Sequence, residues 1–475
     1  MNAISSVENL TFLYPSKSWI KPVVYLLILE IIISCLALLS QQPMVVLGLV
    51  VATISLFIFV VNPTWFIMIL LFLILSMPAG QYPETGFYSF NIGTRTAFII
   101  EVMILSGLFL WLLKTSLKGE VLRFHLRVPD SLLLIFLALY FLSIAKGFVS
   151  GRTLSNIIWD SRMIIFSGVY FLISRIVKNE VQIHRIILVM FLASILLLLY
   201  YVIMNISGVY FIHTEIPGGT AREHAFVFAS MFIISLGLAL YLSDMKPLFL
   251  FASISFIFFA LLTFQRANYI HIALSLLSIF YLVERKYRKI FLKWCFLGFF
   301  VFAIIGIIYT PARQFFGATG SRIEDIGEIH SDLSILQRLF EYNFALNRIK
   351  EHPVLGVGMG YELSYLVPYI GIPIKWTAVH NEFLWLTLKA GIPALLIFIS
   401  LLVYLVKKGK ELYPKISDPV MKGFFLGIWS NLIGLIGKSQ FADEFHKHRP
   451  GFLLWVMLGL IVAFDRIYGE KKSLS

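Results

Sequence analysis

The segment RLFEYNFALNRIKEHPVLGVGMGYE at 338–362 is followed, after a short mixed stretch, by AVHNEFLWLTLKAGIP at 378–393. It gathers arginines, three alternating glycines and a histidine directly before an apolar run. Almost everything outside it is apolar, in runs of about twenty residues, the length that crosses a bilayer. The contrast sets the class: many membrane helices, with one long polar segment that looks built for chemistry.

Composition agrees. The chain has 475 residues, 59% hydrophobic and 14% charged, with a mean hydropathy of +0.87. Soluble domains are nearer half apolar and a quarter charged. The expected fold is an all-α polytopic membrane protein with about 14 (12–14) transmembrane helices, forming a single membrane domain over 1–475. Its one long extracytoplasmic loop, 310–382, contains a short amphipathic helix. Candidate spans fall near 20–40, 44–61, 64–80, 96–113, 131–149, 160–177, 184–204, 224–242, 247–263, 266–283, 291–309, 383–405, 420–437 and 451–465.

The formal charge of +13 suits cytoplasmic retention of basic loops, which orients membrane proteins. No basic tract interleaved with aromatics suggests a nucleic-acid partner. With the N-terminus inside, the segments to residue 22 and at 114–130, 175–185, 243–247, 284–293, 407–422 and 466–475 hold 23 of the 39 Lys and Arg. Six more fall in 310–382, and long loops count little. Both termini are therefore expected to be cytoplasmic, with the long loop outside. Cys35 and Cys295 lie in apolar stretches, so no disulfide framework is implied. Ile32-Ile33-Ser34-Cys35 mimics a lipoprotein cleavage site, but Glu30 and the many later spans favour an uncleaved first helix.

On this topology Arg95, Arg152, Arg162, Arg222 and Arg266 gather at the outer ends of helices, whereas lysine dominates the inner surface. A guanidinium grips phosphate oxygens bidentately and keeps its charge when partly buried, so such a face suits a diphosphate at the membrane interface. The plainer alternatives are local: Arg162 with Asp160, and Arg222 with Glu223 or Glu215. Arg266, in LLTFQRANYI, has no acid nearby in sequence. Glu30, Glu101 and Lys389 either line a polar path or pair structurally.

Within the loop, Ser334 and Gln337 have capping-box spacing, and a helix is expected from about 335 to 350, ending before Pro353. Arg338, Glu341 and Arg348 share one arc, with Leu336, Leu339, Phe340 and Phe344 opposite, so the helix should lie on the membrane surface or over a cavity. Gly356, Gly358 and Gly360 permit tight turns and close approach of the backbone to a ligand. His380 stands at the mouth of the next span. One reading makes Asn381 a helix cap and His380 an interfacial polar residue. The other makes His380 a general base, since imidazole titrates close to physiological pH, with Glu382 either orienting the ring or facing solvent. His330 and His352 have no metal-ligand spacing, and neither metal nor cofactor is expected.

Together, TFQRANYI, the pattern Arg338…Pro353-x-x-Gly356-x-Gly358-x-Gly360 and HNEFLWLTLKAGIP resemble the O-antigen ligase and polymerase family of bacterial envelope glycosyltransferases. The resemblance covers roughly 220–405. Gln265 and Pro393 stand where that family favours small residues. It implies a metal-independent, inverting transfer on the periplasmic face of the bacterial inner membrane. The donor would be a glycan on undecaprenyl diphosphate, embedded among membrane lipids. The acceptor would be lipid A–core in a ligase or a growing lipid-linked glycan in a polymerase. A histidine matching His380 would deprotonate the acceptor hydroxyl. Arginines matching Arg266, with Arg162, Arg222 and Arg338, would hold the diphosphate. The rival class is a solute transporter or a lipid-linked glycan flippase. Those should carry polar residues at mid-membrane or along the whole crossing path, whereas these arginines cluster on one face.

Overall fold

A computed structural model of the chain describes residues 53–54, 56–76, 89–92, 95–117, 126–206, 224–261, 265–308, 333–366 and 373–469. The described residues are mostly helical. In chain order the helices are α1 (Pro63–Ser76), α2 (Ile99–Leu117), α3 (Val128–Val149), α4 (Leu154–Asp160), α5 (Arg162–Ile176), α6 (Glu180–Ile206) and α7 (Ala225–Tyr241). Then come α8 (Lys246–Leu261), α9 (Arg266–Leu282), α10 (Arg285–Ile308), α11 (Leu333–Glu351), α12 (Glu382–Leu412), α13 (Pro419–Lys438) and α14 (His448–Phe464). Two antiparallel hairpins, unexpected in an all-α chain, pair Ser89–Ile92 (β1) with Arg95–Phe98 (β2), and Leu363–Leu366 (β3) with Pro373–Trp376 (β4).

Each expected range from 64–80 onward coincides with a helix. The 20–40 range lies outside the described residues, and 44–61 lies only partly within them. Among the described residues six helices are long and apolar enough to cross a membrane, or seven if α4 and α5, bent by 40° at Ser161, form one span. The helices α1, α7 and α8 are apolar but shorter.

Packing explains why so many helices are apolar all round. Every residue of α7 from Ala225 to Leu240 is buried, and α14 is buried from Arg449 to Phe464. Around them, α3, α6 and α8 turn Ile135, Phe141, Leu192, Leu199 and Phe251 outward. An apolar core inside an apolar surface is the pattern of helices solvated by lipid.

Small residues set the closest crossing, as expected where helices have no hydrophobic drive to associate. On α13, Gly423 and Gly427 lie one turn apart against α7. A Cβ on Gly427 would stand 2.7 Å from the Ile234 Cα, and one on Gly237 would stand 2.5 Å from the Gly423 carbonyl oxygen. Backbone cannot yield as a side chain can. Gly427→Leu should therefore cost at least the about 1–3 kcal/mol of ordinary overpacking, read as a fall in thermal unfolding temperature of the purified protein in detergent.

Ion pairs tie the helix ends together. At one end Asp465, just past α14, takes Arg127 and Lys408, each at 3.2 Å, and Arg175 at the end of α5 binds Asp130 at 2.6 Å. The opposite end holds the first residues of α5, α7, α12 and α14 and the last of α13. There Arg162 meets Glu101, Lys438 lies over the Phe226 ring, and the α12 N-terminus meets the loop before α14.

Candidate functional site

His380 lies at this second end. The Asn381 side chain caps α12 by accepting from the Leu384 N–H at 3.0 Å, so the capping role expected of it is present. An N-cap residue is extended rather than helical, which leaves His380 just outside the helix. Helix α11 then fixes it from the side. The Tyr342 hydroxyl donates to the His380 carbonyl at 2.7 Å. The Glu341 carboxylate meets His380 Nδ1 at 2.7 Å and its backbone N–H at 3.3 Å, and takes a third donor from Gln337 at 3.1 Å. Glu341 is 1% exposed and the imidazole 31%.

The expectation for Glu382 is corrected. Glu382 neither orients His380 nor faces solvent: it is buried, and accepts from the Phe445 N–H at 2.9 Å and lies 3.4 Å from His446 Nδ1. Helix α11, at 333–351, comes close to the expected range and stops before Pro353. Glu341, Ala345 and Ile349 are buried, while Leu339 (54% exposed) and Leu346 (47%) point away. Gln337 likewise turns to Glu341.

The glycine run also has a different partner. Gly356, Gly358 and Gly360 adopt φ of +62°, +91° and +79°, open to glycine at little cost, but their backbone approaches protein rather than an open site. The cause is the break in α12 at Gly391 (φ +88°) and Pro393. In an unbroken helix the Leu388 and Lys389 carbonyls would accept from residues 392 and 393. The Ile392 N–H is diverted to the Pro353 carbonyl at 2.8 Å, and Pro393 has no N–H. Val357 N–H fills the first vacancy at 2.8 Å, while Gly358 N–H at 3.2 Å and Ser143 Oγ at 2.6 Å fill the second. The run is a brace across a broken helix.

That brace closes on a buried ion pair. Lys389 Nζ donates to Asp160 Oδ2 at 2.6 Å and to the Tyr361 carbonyl at 2.5 Å, and Gly360 N–H reaches the same carboxylate oxygen at 2.7 Å. Neither Lys389 nor Asp160 is more than 1% exposed. Asp160 is therefore not the partner of Arg162. The helix breaks at Ser161 between them and sends the two side chains apart. Arg162, 1% exposed, pairs instead with Glu101 at 2.7 Å and stacks on Trp159 at 3.9 Å. So Glu101 and Lys389 both pair.

The other arginines are dispersed. Arg338 is half-buried on α11, one turn before Tyr342 and within electrostatic reach of it. Arg266 opens α9, which packs on α13 and stacks His271 on Phe226 at 5.0 Å, placing it at the same end of the bundle. Arg152 lies 4.8 Å over the Tyr361 ring. Arg222 lies outside the described residues, and for Arg95 only the backbone, in β2, is described.

One group escaped the sequence reading: the loop FADEFHKHRP (441–450) between the last two helices. His446 bridges Glu382 and Asp443 (3.6 Å) and stacks on Trp385 at 4.8 Å. Asp443 holds Lys447 at 2.8 Å, and Glu444 holds Lys438 at 3.0 Å. Burial opposes a charge on His446, but Glu382 and Asp443 outweigh it and carry the imidazole up to about 9. Burial likewise opposes ionising Asp443, yet Lys447 and His446 hold its carboxyl well below the usual range, and it lies within electrostatic reach of His380. The density of acids, bases and histidines between two apolar spans was the available signal.

This end of the bundle thus combines a carboxylate-held imidazole, an arginine one turn away and several more cationic helix starts. Comparison with known proteins points the same way: residues 250–399 match the family model described as O-antigen ligase. This segment is similar to the O-antigen ligase family. It takes in Arg266, Arg338, Glu341, the glycine brace, His380 and Lys389, and leaves out Arg162, Arg222 and the 441–450 loop. A protein of Rickettsia conorii, named as a candidate polysaccharide ligase, is 26% identical over 178 residues. The match covers 34% of this chain and 42% of that protein, so the chain spans less than half the length of the relative. The apolar helices are those of a multi-pass membrane protein, and the likeness points to a glycosyltransferase-like enzyme.

Proposed function

We propose that the chain is a ligase-type, inverting, metal-independent glycosyltransferase of the bacterial inner membrane. It moves a glycan from undecaprenyl diphosphate to an acceptor sugar hydroxyl on the periplasmic face. The carrying observation is the partly exposed His380 imidazole, fixed by two residues of α11 at the mouth of α12. In this reading the His380 end of the bundle faces out, within the loop 310–382, and both termini of the single membrane domain are cytoplasmic.

His380 accepts the proton of the acceptor hydroxyl as that oxygen attacks the anomeric carbon. The bond from that carbon to the diphosphate oxygen breaks, and its electron pair leaves with the diphosphate. Negative charge grows on the leaving group, where fixed cations lower the barrier. Arg266 and Arg338 supply that charge, together with Arg222 and Arg162. The Glu101 contact holds Arg162 in place.

The test is transfer by the full chain in liposomes, with a glycan-diphosphate-undecaprenol donor, chelator, and either lipid A–core or excess donor. Glycosylated lipid A supports the ligase. A ladder of lengthening glycans assigns the polymerase reaction of the same family, and no product from folded protein favours a transporter or flippase. In the same assay Arg266→Ala should raise the KM for donor by roughly tenfold, the worth of a charge-assisted hydrogen bond of about 1.5–3 kcal/mol. An unchanged KM removes Arg266 from the diphosphate site.

A further inference from the structure

We propose that Glu341 is the positioning residue of the transfer reaction: it holds the His380 imidazole with Nδ1 protonated and so leaves the Nε2 lone pair for the acceptor hydroxyl. The inference rests on the reading of His380 as the base and adds the residue that makes it one.

Three features carry it. Glu341 Oε2 lies 2.7 Å from Nδ1, and a carboxylate in that position accepts and does not donate, so the proton is placed on Nδ1. The carboxylate has three donors, from the His380 ring, the His380 main chain and Gln337, a set that the ionised form satisfies. The imidazole is also held by its backbone, because Tyr342 binds the His380 carbonyl from the same helix turn. A buried acid behind a partly exposed imidazole is the arrangement in which an acid sets tautomer and ring orientation and stabilises the imidazolium formed when the base takes its proton. Asp443 on the loop before α14 lies within electrostatic reach of His380, and Arg338 on α11 within reach of Tyr342. Helix α11 turns that carboxylate inward.

The experiment compares Glu341→Gln, nearly isosteric, and Glu341→Ala with His380→Ala and the unaltered protein, each as the full chain in liposomes, reading kcat and KM. In both Glu341 variants kcat should fall by about 10²-fold, the usual worth of acid–base assistance, with KM for donor changed less than threefold. A merely structural residue would not separate kcat from KM in this way. If kcat is unchanged while His380→Ala is dead, the role of Glu341 is overturned and the base stands. If His380→Ala retains activity, the base itself is wrong. Independent of any folding defect in the Glu341 variants, the 15N spectrum of histidine-labelled protein, with the His380 signal assigned by its loss in His380→Ala, should show Nδ1 protonated and Nε2 bare at high pH. The reverse tautomer overturns the proposal.

Discussion

His380→Ala should abolish glycan transfer while the protein still takes up its lipid-linked donor. The imidazole is the group at the α12 mouth suited to accept a proton near neutral pH, and removing such a base costs about 10²–10⁴-fold. Alanine leaves the main chain intact, so the Tyr342 contact to the carbonyl at 380 and the Asn381 cap both survive. On the proposed reading donor binding rests on Arg266 and Arg338, and it should change little. Single-turnover transfer and donor binding, measured on one preparation, separate the two effects. Turnover within threefold of the unaltered protein would sink the acid–base reading.

The second large effect is on folding. Lys389→Met should destabilise the protein by about 3–5 kcal/mol, the cost of leaving a buried charge unpaired. Asp160 would keep Gly360 N–H but lose its cation in a site nearly without solvent. The Tyr361 carbonyl would lose a donor as well, loosening the brace that satisfies the broken α12. Adding Asp160→Asn removes the orphaned charge, and the double variant should recover part of the loss. Thermal unfolding in detergent reads both. A Lys389→Met protein as stable as the parent would mean that the pair adds nothing beyond its own desolvation.

The pattern of the site was partly legible. The histidine at the helix mouth, the Asn381 cap and the helix before Pro353 are local features, encoded within a few residues of where they act. Partners distant in sequence were not. Arg162 was matched with the nearest acid, but the break at Ser161 gave Asp160 to Lys389, 229 residues on, and Arg162 to Glu101. Glu382, adjacent but one to His380, turned inward to His446, and Glu341, 39 residues back, took its place.

By itself the sequence determined the class and the spans, because a bilayer demands long apolar helices with internally bonded backbones, a constraint written residue by residue in hydropathy. Only the tertiary structure decided what the polar residues do. In an apolar interior each buried charge and each unbonded carbonyl must find a partner at almost any sequence distance. The glycine run shows both halves: its φ angles could be foreseen from glycine alone. That it braces the carbonyls freed by Gly391 and Pro393 could be seen only once α12 and the 353–360 segment lay side by side.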